Sequence, residues 1–353
     1  MKRIFIAMLA VLLSTSCERS PGPVIIDFTE SAIQGAGIFI LNEGNFRAGN
    51  GSLSFFSYDS ARVMNHLFSK INKYPLGDVP YSMEISGDRA FIIVNNSGKI
   101  EVVKTNTLES VKTIIGLNSP RYIGFLSNNK AYVTSLWSDS VTVIDLQSLS
   151  VEDYIDIRRS SEAIAVVGNQ AFIASWAGGN EIMVINTPDN SVADSIIVGS
   201  EPESMVVDRN NTLWVLCNGG WARENFAELV AIGTQTGEIV KRFVFPEITD
   251  SPTCLKINKS GDSLYYLDKG VRRMSITDSE LPNHIFIPET GRLFYKLGVF
   301  PDNGDIFVTD VVDYQSKGYI LRYKDDGLLI SVMASDIIPG AMCYKVLPDY
   351  TTE

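Results

Sequence analysis

Lys130-Ala-Tyr-Val-Thr-Ser135 is one copy of a six-residue pattern that occurs seven times in this chain. The other copies are Gly37-Ile-Phe-Ile-Leu-Asn42, Arg89-Ala-Phe-Ile-Ile-Val94, Gln170-Ala-Phe-Ile-Ala-Ser175, Thr212-Leu-Trp-Val-Leu-Cys217, Ser263-Leu-Tyr-Tyr-Leu-Asp268 and Asp305-Ile-Phe-Val-Thr-Asp310. Each has an aromatic side chain at its third position: Phe39, Phe91, Tyr132, Phe172, Trp214, Tyr265 and Phe307. Recurrence of this kind identifies a repeat architecture before any single element is assigned.

Each copy sits inside a longer unit. A Pro-x-x-apolar start precedes it at Pro80, Pro120, Pro202 and Pro252, and Ser161 opens an equivalent start without the proline. An apolar strand follows it, such as Val141-Thr-Val-Ile-Asp145 or Ile182-Met-Val-Ile-Asn186, then a polar turn and a β-branched strand. The starts fall at 80, 120, 161, 202, 252, about 294 and 339. Four short strands in roughly 40 to 45 residues is the period of a propeller blade. Pro339-Gly-Ala-Met342 opens a unit that has no aromatic strand, and Gly37 begins one that has no opening strand. Joined, they make one blade, in which C- and N-terminal strands pair and remove the exposed sheet edges. The expected fold is all-β, a seven-bladed β-propeller over residues 36–353, with its ring closed by that pairing.

The N-terminus sets the expected compartment. Lys2 and Arg3 precede the apolar run Ile4 to Leu13, which is too short to span a bilayer and fits an export signal. Leu13-Ser-Thr-Ser-Cys17 resembles the lipobox of bacterial lipoproteins, whose cysteine is acylated. The expectation is a signal peptide over 1–16, lipidated Cys17, and a tether over 17–35 in which Ser20-Pro-Gly-Pro23 cannot hold a helix. The plainer alternative is an ordinary cleaved signal followed by a chance cysteine. A net charge of −11 argues against nucleic acid or anionic lipid as partner. Membrane attachment is therefore expected through the lipid alone. Cys217, Cys254 and Cys343 are odd in number and irregularly spaced, and read as small buried hydrophobes rather than a disulfide or zinc framework.

In a propeller, the loops joining strand two to three and strand four to the next blade share one face. Loops on a rigid scaffold commonly carry function. Trp137, Trp176 and Trp221 all follow a second strand, and Phe46, Phe226 and Tyr314 occupy corresponding loops in other blades. Asn45, Asn95, Asn96, Asn180, Asn218 and Asn225 are interleaved with them. Six large aromatics with amides between them form a candidate binding face; the competing reading is that the rings merely pack the loops. Tyr81, Arg121, Glu162, Glu203 and Thr253 begin innermost strands and are expected to ring the channel mouth, where strand-end charges are often only solvated. Asp310 ends a second strand on the same side. Glu43 to Gly51, Asn218 to Glu228 and Val311 to Gly318 are the longest loops, and Gly49-Asn-Gly51 and Gly219-Gly220 are flexible enough to close over a ligand.

Catalytic constellations are poor. The two histidines, His66 and His284, fall in segments expected to lie away from the aromatic face. No Gly-x-Ser-x-Gly elbow, His-Glu-x-x-His or phosphate-cradling loop occurs. Asp302-Asn-Gly-Asp305 and Asp325-Asp-Gly327 read as hairpin turns rather than calcium loops. Asp268, Asp310 and Asp313 are the remaining acid–base candidates, and nothing in the sequence pairs them. The expected role is binding, with no catalytic residue, metal or cofactor.

The repeat, best preserved from Pro120 to Asp145, resembles the YncE-type propellers over nearly the whole mature chain. Phe39-Ile-Leu-Asn-Glu-Gly-Asn-Phe46, followed by Asn50-Gly-Ser-Leu-Ser-Phe55, is similar to a subgroup of surface lipoproteins from gut anaerobes, the BtuG type. The resemblance implies an outer-membrane, surface-exposed protein that captures a corrinoid (cobalamin) and passes it to a TonB-dependent transporter partner. The same face also suits a glycan, which stacks on Trp and bonds to Asn and Asp, so a saccharide-uptake or adhesion protein is the alternative.

Overall fold

In the computed structural model, Ile33 and residues 35–346 apart from Asn128 are described. The expected signal peptide, Cys17 and nearly all of the tether lie outside the described residues. What is described forms seven four-stranded antiparallel sheets arranged as the blades of a seven-bladed β-propeller.

The inner strands are Pro80–Ser86, Pro120–Ser127, Ser161–Val167, Pro202–Val207, Thr253–Ile257 and Phe294–Val299 for blades 2 to 7. Blade 1 takes its inner strand, Pro339–Lys345, from the other end of the chain. That strand pairs with Gly37–Asn42 in the register Gly37↔Lys345, Phe39↔Cys343 and Ile40↔Met342. This is the expected closure. A polar lock reinforces it at the seam with blade 7: Asn42 accepts from Ser335 Oγ at 2.8 Å, and Ser52 Oγ donates to Asp336 at 2.8 Å.

The seven repeated aromatics explain the repeat. All are buried, and each lies at a different blade–blade interface. Phe39 meets Ala90 and Ile92 of blade 2, and Phe91 meets Ile123 and Val133 of blade 3. Tyr132 meets Ile173, Phe172 meets Val215, and Trp214 meets Tyr266. Tyr265 meets Val308, and Phe307 packs on Ile38 and Ile40 to complete the circle. Second strands are covered on both faces by neighbouring blades, so they read as continuous apolar runs rather than alternating ones. Outer strands such as Ser191–Ile197 are exposed along most of their length and revert to polar alternation.

The three cysteines Cys217, Cys254 and Cys343 are buried and unpaired, and the segments at 301–303 and 325–327 are turns between strands, both as expected. Among the described residues no helix is long and apolar enough to cross a membrane. The short helix Leu67–Asn72 buries Leu67 and Phe68 against blades 1 and 2.

Phe39→Ala is expected to destabilise the protein by about 3–5 kcal/mol in urea titration, the usual range for emptying a buried aromatic site. Ending the chain at Ile337 removes the inner strand of blade 1 and is expected to abolish a single cooperative unfolding transition.

Candidate ligand-binding site

One irregularity occurs in every blade. Where the inner strand meets the second strand, its register slips near the start: between Pro80 and Ser82, Pro120 and Ile123, Ser161 and Ile164, Pro202 and Ser204, Thr253 and Lys256, and Phe294 and Leu297. In blade 1 the slip lies opposite Ile40 and Asn42. Such bulges twist a strand and re-aim its side chains, and they gather beside functional sites. The bulged residues here are Tyr81, Arg121 with Tyr122, Glu162 with Ala163, Glu203, Cys254 with Leu255, and Tyr295 with Lys296. Nearly every polar group at the channel mouth belongs to this set.

A repeated hydrogen bond holds the mouth in shape. The residue after the second strand donates its N–H to the carbonyl of the residue before the inner strand: Glu43 to Ile338 (2.9 Å), Asn95 to Val79 (2.8 Å), Leu136 to Ser119 (3.1 Å), Trp176 to Ser160 (3.4 Å), Asn218 to Glu201 (3.2 Å) and Val311 to Leu293 (3.1 Å). Blade 6 differs, because its second and third strands are joined by a two-residue turn in which Asp268 N–H reaches Gly270 O at 2.8 Å. Val79, Ser119, Glu201 and Ile338 adopt positive φ directly before a proline. Such backbone is tolerated only where its surroundings fix it.

The deepest group on one side of the mouth is a closed ion pair. Arg121 Nε donates to Glu162 Oε2 at 2.6 Å and Arg121 Nη2 to Glu162 Oε1 at 2.8 Å. The Tyr81 hydroxyl donates to Glu162 Oε1 at 2.6 Å and accepts from Arg121 Nη2 at 2.5 Å. The guanidinium also stacks 3.5 Å from the Tyr81 ring centroid and lies 5.4 Å from that of Trp176. Burial pushes the Tyr81 phenol far above its ordinary value, so it remains a donor. Glu162 is 1% exposed, and its charge is tolerable only because it is paired.

Across the mouth, Tyr295 donates to Glu43 Oε1 at 2.8 Å. Gly340 leaves room for that carboxyl, since a Cβ there would come within 2.9 Å of Glu43 Oε1. Burial raises the Glu43 carboxyl above its ordinary range, opposed by the Lys296 charge. Tyr295 in turn meets the Tyr314 ring edge-on at 5.5 Å. Farther down the channel, Glu84 keeps an exposed side chain but is enclosed by the surrounding blades, and the resulting desolvation pushes it up to about 7 against the pull of Lys256 of blade 6.

The aromatics form the rim. Trp137 is 67% and Trp221 88% exposed, and Phe46, Phe226 and Tyr314 are also exposed. Trp176 is half-buried over Arg121, and its indole N–H has no acceptor among the described residues. Four of the asparagines bond to the protein itself. Asn95 Nδ2 donates to Pro120 O at 3.0 Å, Asn218 Oδ1 accepts from Gly220 N–H at 3.1 Å, and Asn96 Nδ2 bonds to Asp78. Asn45 bonds to Asn50 within its own loop and reaches Gln315 O at 3.5 Å. These amides hold the loops in shape. Asp310 does likewise: its carboxylate takes Leu293 N–H (3.1 Å), Val312 N–H (3.0 Å) and Arg292 (3.0 Å), and is fully occupied away from the channel.

Two sequence expectations change. His66 lies on the aromatic face after all, in the connection 65–79, with Nε2 3.2 Å from Asp336. The outer strand of blade 1 has only three residues, so the chain is back at that face before His66. Gly51 is clamped rather than free, with its N–H on Gly77 O at 3.0 Å and Pro80 beside its Cα. Sequence reasoning also missed Glu43, Tyr122, Tyr295 and Lys296. Among the described residues no group of three His, Cys, Asp or Glu side chains could hold a metal ion.

Residues 36–321 match DUF5074, a domain of unknown function. The chain belongs to the DUF5074 family. No curated protein matches it. Among solved structures, a quinonprotein alcohol dehydrogenase-like protein from Bacteroides thetaiotaomicron superposes with TM-score 0.70 at 14% identity, over 88% of this chain and 78% of that one. A functionally unknown protein from Desulfotomaculum acetoxidans gives 0.66 at 12%, over 88% and 99%. Virginiamycin B lyase from Staphylococcus aureus gives 0.58 at 14%, over 76% and 84%. At such identity the likeness is one of fold, and the chemistry of the mouth belongs to this chain's own residues.

Arg121→Met leaves Glu162 buried without its partner and is expected to cost about 3–5 kcal/mol of stability. Adding Glu162→Leu is expected to recover most of that loss. Urea unfolding of the single and double variants checks both.

Proposed function

We propose that this DUF5074 protein is a binding protein that captures a corrinoid on the aromatic face and passes it to a TonB-dependent transporter. The observation that carries the reading is the combination at one mouth: exposed Trp137, Trp221, Phe46, Phe226 and Tyr314 on the rim, above a polar floor held by the seven bulged strands. A corrin is a broad, largely apolar ring edged with amides. The rim offers aromatic area to its face, and the floor offers hydrogen-bonding groups to its edge. The resemblance of 39–55 to BtuG-type surface lipoproteins supplies the ligand class and the transporter. The lipobox at Leu13 to Cys17 supports attachment to the outer membrane through an acylated cysteine, with the face outward.

The reading is one of binding rather than catalysis. Glu162 at the mouth is committed to Arg121, and Asp310, away from the channel, to the loops of its own blade. On this reading the remaining groups at the mouth, Glu43 and Lys296 among them, serve contacts with a held ligand.

Isothermal titration calorimetry of the chain from about Ser20 onward against cyanocobalamin tests the reading. One-to-one binding is expected, weakened about 5- to 30-fold by Trp137→Ala or Trp176→Ala, in line with about 1–2 kcal/mol for one aromatic contact. Absence of heat with cyanocobalamin and cobinamide, together with binding to oligosaccharides, would move the assignment to glycan capture.

A further inference from the structure

Lys296 is the second bulged residue of the blade 7 inner strand, and its main chain is fixed by its N–H on Thr309 Oγ1 at 3.0 Å. Its ammonium is placed differently from every other cation at the mouth. Nζ lies 4.9 Å from the Tyr295 ring centroid and 5.6 Å from that of Tyr81, which belongs to blade 2. Its charge is also felt by Tyr122 of blade 3, Glu203 of blade 5 and Cys254 of blade 6. A group within reach of so many blades sits close to the channel axis. Among the described residues it has neither an ion pair nor a side-chain hydrogen bond. Arg121, by contrast, is committed through Nε and Nη2 to Glu162 and Tyr81.

The surroundings leave that charge available. Tyr81, Tyr122 and Tyr295 are all held in the neutral form by burial. Glu43 is directed to Tyr295, and Glu203 Oε2 accepts the Cys254 N–H at 2.9 Å. Ring faces beside an ammonium steady it without consuming its donors. The residue is half-buried, and three N–H donors beside the channel axis favour an anionic oxygen over a neutral one.

We propose that Lys296 is an oxyanion-binding group at the channel mouth, receiving a phosphate or carboxylate of the ligand seated on the aromatic rim. This rests on the aromatic face being the binding site, but not on the ligand being a corrinoid.

The test uses two simple probes, inorganic phosphate and acetate, titrated into the soluble chain and followed by calorimetry. Lys296→Met, Lys296→Gln and Lys296→Arg are compared with wild type, with thermal unfolding to confirm that each is folded. Saturable binding of at least one probe is expected, weakened about 10- to 100-fold in Lys296→Met and Lys296→Gln and kept within a few-fold in Lys296→Arg, as a charge-assisted hydrogen bond predicts. Phosphate alone binding marks a phosphate-bearing ligand, and acetate alone a carboxylate-bearing one. No binding of either probe to wild type, or equal binding by folded Lys296→Met or Lys296→Gln, overturns the proposal. Neither probe contains a corrin, so a negative corrinoid titration leaves this result independent.

Discussion

The structure depends on one contact made seven times: an aromatic side chain in the second strand of each blade, pressed against the second strand of the next. No blade can bury both its faces alone. Phe39, Phe91, Tyr132, Phe172, Trp214, Tyr265 and Phe307 each close one interface, and all are buried. Because the interfaces run in a circle, the last one exists only if the chain's two ends meet. The pairing of Pro339–Lys345 with Gly37–Asn42 therefore secures that last interface and closes the ring.

That rigidity lets the channel mouth be irregular. The inner strands bulge at the same depth in all seven blades, and a bulge in an isolated sheet would weaken pairing. Here the interfaces hold the second strands in place and the slips are confined to the inner edge. The result is a concentric arrangement of a polar floor carrying Arg121, Glu162, Tyr295 and Lys296 and an aromatic rim carrying Trp137, Trp176 and Trp221. The loops between are joined by the repeated hydrogen bond from the second strand to the residue before the inner strand. The mouth is preorganised, which lowers the ordering cost of binding.

The fold was legible because its determinants are local and repeated: an aromatic at one position, a proline near most starts, an orphan strand at each end. The candidate site was legible in part. Tyr81, Arg121, Glu162 and Glu203 follow a recognisable start, so their place at the mouth could be read from their place in the unit. Tyr122 and Lys296 could not. Strict alternation sends one of two adjacent residues away from the channel, and only the bulge brings both to the mouth. Blade 7 also lacks the proline that marks the phase of its neighbours, leaving Tyr295 and Lys296 without a sequence landmark. The roles of Asp310, Asn95 and Asn218 were hidden for another reason. A polar residue in a loop has the same appearance in sequence whether it faces a ligand or its own backbone.

The most direct test of the account is hydrogen exchange by mass spectrometry with and without saturating cyanocobalamin. Capture at the mouth predicts slowed exchange in the loops 43–51, 136–139, 176–180, 218–227 and 311–316, with the turns at the other end of the blades, such as 168–169 and 209–211, unchanged. Protection confined to those turns or to the outer strands, or no change anywhere, would contradict it.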